Sequence, residues 1–380
     1  MVGRLNVGII TPPRGEAATT PLSNLVNILN ALSDELYIVA GGDVRILQKR
    51  NCKKVHMYKI NYKIYSNVMM KVINHLSMQL RFSVKIFKLI RNVDVWIFFL
   101  DGESLLLPLL TAKLKRGGVL LAMTASIPKT AQAHKDHLSR ILVCFRVISC
   151  NLSSGIIIYS DSLIKEWQLE KYKDKISIAH EHFLNFSEFR IKKRISEREE
   201  IVGYVGRLSE EKGILKFLQA IPMVLKRKVF SEFVIGGDGL LSSEITEYSS
   251  YRNLNNKVKL VGWIPHKELS SYLNELKLLV LPSFSEGLPN ILLEAMACGT
   301  PVLATPVGAI PDIIKECETG FLLKSNDPKH IADRIIELLG KPELLEKVSV
   351  NAYNYVRENF SYEKTLEVWR KIFEQLEIIN

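Results

Sequence analysis

Short runs of consecutive apolar residues, closed by glycine, proline or serine and separated by stretches with helical spacing, recur along the chain as far as Thr305. A strand with one wet face alternates polar and apolar residues. A strand of a parallel sheet covered on both faces reads as a near-continuous apolar run. The pattern therefore predicts an α/β protein with parallel sheets sandwiched between helices. Leu5–Thr11, Leu36–Ala40, Asp94–Leu100, Gly118–Met123 and Ser154–Ser160 form a first set of such strands. Leu22–Leu32 reads as a helix after the first of them. Residues 190–200 are charged and poor in apolar side chains, and read as a linker.

The pattern then restarts with Ile201–Val205, Glu232–Gly237, Val258–Gly262, Leu278–Pro282 and Thr300–Thr305. Beyond Asp327 the chain reads as helical, with a break at Lys341-Pro342 and a new start at Ser361, a suitable N-cap, running to Ile379. The expected organisation is an N-terminal Rossmann-like domain over 1–189, a second over 199–358 and a helix over 359–380 that packs back on the first. Ligands of open sheets of this kind sit beyond the C-terminal ends of the strands, here in a cleft between the two domains.

A hydrophobic fraction of 47% and a charged fraction of 24% exclude a disordered chain. The five cysteines, Cys52, Cys144, Cys150, Cys298 and Cys317, form no C-x-x-C pair, which argues against a zinc site or a disulfide framework and fits a reducing compartment. Met1-Val2-Gly3-Arg4 runs straight into a strand, so no signal peptide is expected and a cytoplasmic location is. The most apolar stretch, Val95–Leu114, is broken by Asp101, Glu103 and Pro108 and is not read as a membrane span.

Charge is split unevenly. Residues 1–190 hold 26 Lys and Arg against 14 Asp and Glu, whereas residues 191–380 hold 25 against 26. The excess is densest over Val44–Val93, with 12 basic residues and no acidic one. Such asymmetry points to an anionic partner for the first half. No helix-turn-helix, zinc or aromatic-platform signature accompanies the charge, which argues against nucleic acid.

Two constellations carry chemistry. In Tyr204-Val205-Gly206-Arg207-Leu208-Ser209-Glu210-Glu211-Lys212-Gly213 a strand ends at glycine and two cations follow five residues apart. A guanidinium fork and an ammonium point charge so placed suit a diphosphate, although a solvated strand-to-helix loop has the same composition. In Ser283–Gly299, Glu286 lies in the loop after a strand, Pro289 suits a first helical turn and Gly299 the position just past a helix end. The helix start favours an anion. Glu294 falls inside that helix among Ile291, Leu292, Leu293, Ala295 and Met296, where a carboxylate needs a partner.

Both blocks resemble the group 1 family of retaining glycosyltransferases, which have the GT-B fold. The resemblance rests on Val258–Ile314 (VKLVGWIPHKELSSYLNELKLLVLPSFSEGLPNILLEAMACGTPVLATPVGAIPDII), with glutamates spaced as in the family at Glu286 and Glu294, and on YVGRLSEEKGI. It implies transfer of a hexose-type sugar from a nucleotide-diphosphate donor to an acceptor hydroxyl with retention of configuration. Arg207 and Lys212, with Gly206, would meet the diphosphate. Glu286, with Gly287, Leu288, Pro289 and Asn290, would meet the transferred sugar, and Glu294 the ribose. No metal or cofactor is expected, because the cations and helix dipole supply the positive charge.

The N-terminal half resembles the family only in outline. Gly15 is the candidate for backbone approach to the donor phosphate, in a loop with one glycine where many members have two. Members often carry a histidine after the strand corresponding to Gly118–Met123, where this chain has Thr124 and Ser126; His134 and His137 read as ordinary surface or core histidines. Over Val68–Ile90 a helix gathers Lys71, Asn74, Arg81, Lys85 and Lys88 on one side and Val72, Leu76, Leu80 and Phe87 on the other. This reads as a basic amphipathic helix on anionic lipid, with Arg81, Lys85 and Lys88 in contact and Phe82 inserted. A helix packed on its own sheet with a solvated basic face has the same pattern. The favoured acceptor is a lipid-linked or envelope glycan at the cytoplasmic membrane face. Alternatives are a soluble enzyme acting on a small-molecule or storage-glucan acceptor, and a GT-B sugar-nucleotide epimerase or phosphorylase.

Overall fold

A computed structural model describes residues 5–13, 19–41, 54–63, 67–114, 118–124, 137–227 and 231–377. The chain divides into two units, Met1–His182 with Glu363–Asn380, and Phe183–Tyr362.

In the first unit the apolar runs become strands β1 (Val7–Thr11), β2 (Leu36–Gly41), β3 (Val55–Ile60), β4 (Val95–Phe99), β5 (Gly118–Ala122), β6 (Gly155–Ile158) and β7 (Ile176–Ile178). They form one parallel sheet in the order β3-β2-β1-β4-β5-β6-β7. All residues of β1 and β4 are buried, as their unbroken apolar sequences require. Helices α1 (Thr19–Leu32), α2 (Val68–Leu89), α3 (Leu106–Ala112), α4 (His137–Leu152) and α5 (Ser162–Glu166) connect them. Strands β3 and β7 escape a search for apolar runs because they lie at the sheet edges, where burial is mixed.

The second unit has β8 (Ile201–Val205), β9 (Glu232–Gly236), β10 (Val258–Gly262), β11 (Leu278–Leu281), β12 (Val302–Ala304) and β13 (Phe321–Leu322), all parallel, in the order β10-β9-β8-β11-β12-β13. Helices α6 (Ile214–Lys226), α7 (Ser242–Tyr251), α8 (His266–Glu275), α9 (Asn290–Ala297), α10 (Ile310–Ile313), α11 (Pro328–Leu339) and α12 (Pro342–Asn359) complete it. Its core joins Tyr204, Phe217, Phe233, Leu278, Val280 and Phe321. Helix α13 (Tyr362–Glu377) follows, and within the first unit its Trp369 indole donates to the His180 carbonyl at 2.8 Å and its Thr365 hydroxyl to the His182 carbonyl at 3.1 Å.

Residues 190–200 are not a free linker. Arg198 is 3% exposed, and its guanidinium donates to the carbonyls of Lys193, Leu273, Leu276 and Cys298 and to the Thr300 hydroxyl. Burial lowers its pKa to about 10. One arginine thereby ties the segment to the second unit, and the division between units falls after His182.

The reading of α2 is also corrected. Met78, Phe82, Ile86 and Leu89 form the face packed on the sheet, with Phe82 0% exposed, so Phe82 has no apolar surface to offer a membrane. Leu76, Leu80 and Phe87 lie at the surface instead. Arg81 is exposed and donates to the Asn61 carbonyl at 3.1 Å, Lys88 is exposed, and Lys85 is half-buried with its ammonium 4.2 Å from the Tyr58 ring centre.

Candidate functional site

The second sheet reverses its strand order between β8 and β11. From β8 the chain builds outward through β9 and β10, then returns to pair β11 with the other edge of β8, Leu278 beside Val202 and Leu279 beside Gly203. Such a reversal leaves a crevice beyond the C-terminal ends of the two strands. The loops leaving those ends are Gly206–Gly213 and Pro282–Pro289, the two blocks singled out in the sequence.

Glycines let these loops close on one another. Gly213 has φ 68°, and a Cβ there would lie 2.0 Å from the Pro282 carbonyl oxygen. Gly237, at φ 131°, would place a Cβ 1.8 Å from the Gly206 carbonyl oxygen, so the loop after β9 presses on the one after β8. The Phe284 amide donates to the Glu211 carbonyl at 2.9 Å and the Leu208 amide to the Asp238 carbonyl at 2.9 Å. The buried Tyr204 ring sends its hydroxyl to the Arg207 carbonyl at 2.8 Å. Burial, first, and the Glu286 and Glu211 carboxylates raise that hydroxyl's pKa.

The closure brings Lys212 Nζ to 2.7 Å from Glu286 Oε2, the carboxylate being almost fully buried. An ammonium has three donors, so this bond leaves two for an anion. Arg207 stands exposed, its Nη1 3.4 Å from Glu211 Oε1. Gly206 belongs to the pressed loop pair, and its amide donates to the Gly236 carbonyl at 3.0 Å. The Gly287 carbonyl accepts from the Ala309 amide at 2.8 Å. Leu288 and Pro289 are buried and shape the loop by packing, and Asn290 is the first residue of α9. Gly15 lies outside the described residues.

Helix α9 ends as its sequence requires. Gly299 takes φ 66°, its amide donating to the Met296 carbonyl and that of Thr300 to Ala295, a Schellman closure. The helix is apolar and buried, and it carries Glu294 inward, 8% exposed. The partner that such a carboxylate needs is His266, whose Nε2 lies 2.9 Å from Glu294 Oε1. His266 opens α8 directly after Pro265, with its Nδ1 3.9 Å from Glu188 Oε1. The bond to Glu294 is the largest cause raising the His266 pKa, opposed by burial. Sequence reasoning missed His266. Its available signal was a histidine at a helix start beyond a strand end, on the side of the sheet where ligands collect.

In the first unit the reversal lies between β1 and β4. Immediately after β4, Leu100 and Asp101 take φ 52° and 62°, two successive side-chain-bearing residues in the left-handed region. Strain at such a point marks a candidate site edge. Arg81, Lys85 and Lys88 lie on α2 of this unit, whereas Lys212 and Glu286 belong to the second. Among the described residues there is no cluster of three His, Cys, Asp or Glu able to hold a metal ion.

The profile of the glycosyl transferases group 1 family matches residues 185–355. The chain is similar to N-acetyl-alpha-D-glucosaminyl L-malate synthase of Bacillus anthracis, 30% identical over 179 residues that cover 47% of this chain and 46% of that one. It is likewise similar to the capsular polysaccharide biosynthesis glycosyltransferase CapM of Staphylococcus aureus, 30% identical over 161 residues, 42% of each chain. These matches span about half the length of the curated relatives or less. The fold is similar to that of Anabaena Alr3699/HepE, solved in complex with UDP, with TM-score 0.77 at 14% identity over 98% of this chain and 100% of that one. The two parallel sheets are those of the GT-B fold, and residues 185–355 match the model of the group 1 glycosyl transferases.

Proposed function

We propose that the protein is a retaining glycosyltransferase that moves a hexose-type sugar from a nucleoside-diphosphate donor to an acceptor hydroxyl. The observation that carries this reading is the Lys212–Glu286 contact at the strand-order reversal, 2.7 Å long and 74 residues apart in sequence. It sets an ammonium with two further donors beside a carboxylate able to accept from sugar hydroxyls. Arg207 and Lys212 hold the diphosphate and stabilise the negative charge that grows on it as the anomeric carbon–oxygen bond breaks. Glu286 binds hydroxyls of the transferred sugar. Glu294, with one oxygen held by His266, binds the ribose through the other. The acceptor oxygen attacks the anomeric carbon from the face the phosphate leaves, and its proton passes to the departing phosphate oxygen, so configuration is retained. No metal is required, because two side-chain cations and the N-terminus of α9 supply the charge.

The complexes of Anabaena HepE with UDP and UDP-glucose support a uridine nucleotide as the first donor to try. The similarity to CapM and the basic first half support an envelope or lipid-linked glycan as acceptor, at the inner face of an anionic membrane. The similarity to the L-malate synthase keeps a second reading, a small soluble acceptor. The test is thermal unfolding with a panel of nucleotides and nucleotide sugars, then the anomeric configuration of any product by NMR. A donor that raises the melting temperature in the wild type and not in Lys212→Ala supports the site. No stabilisation by any of them, or an inverted product, overturns the reading.

A further inference from the structure

Helix α2 is apolar on two faces, and only one of them is used by the fold. Opposite the packed face, Met69, Ile73, Leu76, Leu80, Val84 and Phe87 follow one another at spacings of three or four residues and stand exposed, Leu80 at 58% and Phe87 at 62%. Residues so spaced line one side of a helix. At 1.5 Å per residue α2 is about 33 Å long, so the ridge runs almost the length of a small domain. Helix α3 packs beside it, the Leu107 amide donating to the Gln79 side chain at 3.0 Å, and adds the exposed Leu107 and Leu110, with Leu114 exposed just past its end. Apolar surface of this extent on a folded protein marks a place where something docks.

The charge around the ridge selects the occupant. Helix α2 carries Lys71, Arg81, Lys85 and Lys88 and no acidic residue, and Val44–Val93 as a whole has none. Protein interfaces are depleted in lysine, and two copies of this face would bring like charges together. A ridge of Met, Ile, Leu, Val and Phe with cations along its flank is the arrangement that lies in the headgroup boundary of an anionic bilayer. No helix among the described residues is long and apolar enough to cross a membrane, which leaves attachment in the plane of the interface.

We propose that the exposed ridge of α2, extended by α3, inserts into the interface of an anionic lipid membrane, with Arg81 and Lys88 at the headgroups. This deepens the reading of a membrane-borne acceptor given above. The inserted residues are those that the fold leaves outside, and the attachment has an apolar part that salt does not remove.

The test is co-sedimentation of the full chain with phosphatidylcholine vesicles, with and without phosphatidylglycerol, at about 0.1 M and about 1 M salt, where the screening length falls from about 10 Å to about 3 Å. Leu76→Ser, Leu80→Ser and Phe87→Ser are combined in one variant. These side chains are exposed, so its melting temperature stays near the wild type. Wild type binds anionic vesicles, and a fraction stays bound at high salt. The variant loses that fraction, its partition falling about tenfold or more. A wild type that stays in the supernatant overturns the proposal. So does a variant that keeps the salt-resistant fraction, or equal binding to neutral vesicles. A dimer in solution that the variant dissociates, without vesicle binding, assigns the ridge to a second copy. Stabilisation by UDP-sugars, measured on both proteins, is unchanged by the variant. Loss of vesicle binding alone therefore leaves the donor reading standing, and loss of donor stabilisation alone leaves the membrane face standing.

Discussion

Lys212 Nζ and Glu286 Oε2 are 2.7 Å apart because β8 and β11 are neighbours in a sheet whose order reverses between them. The loop after one strand carries the cation and the loop after the other the carboxylate. Glycine at 213 permits the contact, since a side chain there would collide with Pro282.

The pair acts as a unit. In the proposed reading Lys212→Ala removes a charged contact to the donor, and it leaves the nearly buried Glu286 carboxylate without its ammonium, so transfer falls by about 10²-fold or more while the fold persists. Glu286→Gln costs a similar factor. The double variant loses much less than the product of the two, because each single change already breaks the shared contact. Steady-state kinetics on the four proteins measure this. Multiplicative losses would mean that the residues act separately.

Glu294→Ala is expected to lower transfer by about 10²-fold or more, and His266→Ala to raise the donor KM with a smaller change in kcat, since ribose binding is common to ground and transition states. His266 is a positioning residue in this reading, and the pH profile tests it. Its pKa lies above 6.5, so the imidazolium–carboxylate contribution to stability is complete below pH 6.5 and is lost as pH rises through the raised value. NMR titration of the His266 ring reads that value directly, and Glu294→Gln should bring it down. A wild-type ring that titrates at or below 6.5 contradicts the hydrogen bond as the main cause.

Gly213→Ala should destabilise the protein by more than about 1 kcal/mol, from the left-handed backbone alone, and the clash with the Pro282 carbonyl adds to it. Because Lys212 is the preceding residue, donor affinity falls as well. A variant that melts and binds like the wild type would show that the loop has room for a side chain at this position.

Arg198→Met, similar in length and uncharged, leaves the carbonyls of Leu276 and Cys298 and the Thr300 hydroxyl without their donor. Each unsatisfied buried group costs about 1–3 kcal/mol, so a loss of several kcal/mol is expected in denaturant unfolding. A loss confined to a few tenths would restore residues 190–200 to the status of a linker.

In the proposed reading Arg207, Lys212 and the start of α9 neutralise the diphosphate, so transfer should survive EDTA. Activity lost in EDTA and restored by Mg²⁺ or Mn²⁺ would place a cation where Lys212 is assigned.

The inner strands of both sheets were legible because burial on two faces leaves one kind of sequence, the continuous apolar run, and Gly299 was legible because a helix end needs a residue that tolerates positive φ. Arg207, Lys212, Glu286 and Glu294 could be singled out for a similar reason, since charge beside a strand end or within an apolar helix stands out locally. Contacts across long separations were not. Strand order, which periodicity does not encode, set Lys212 on Glu286; the packing of α8 on α9 set His266 on Glu294; and the side-chain bonds of Arg198 made the charged segment part of a packed unit. Helix α2 shows the limit best. Its spacing yields two apolar stripes of equal standing, and the choice between them was made by the sheet underneath, which took Met78, Phe82, Ile86 and Leu89 and left Leu76, Leu80 and Phe87 at the surface.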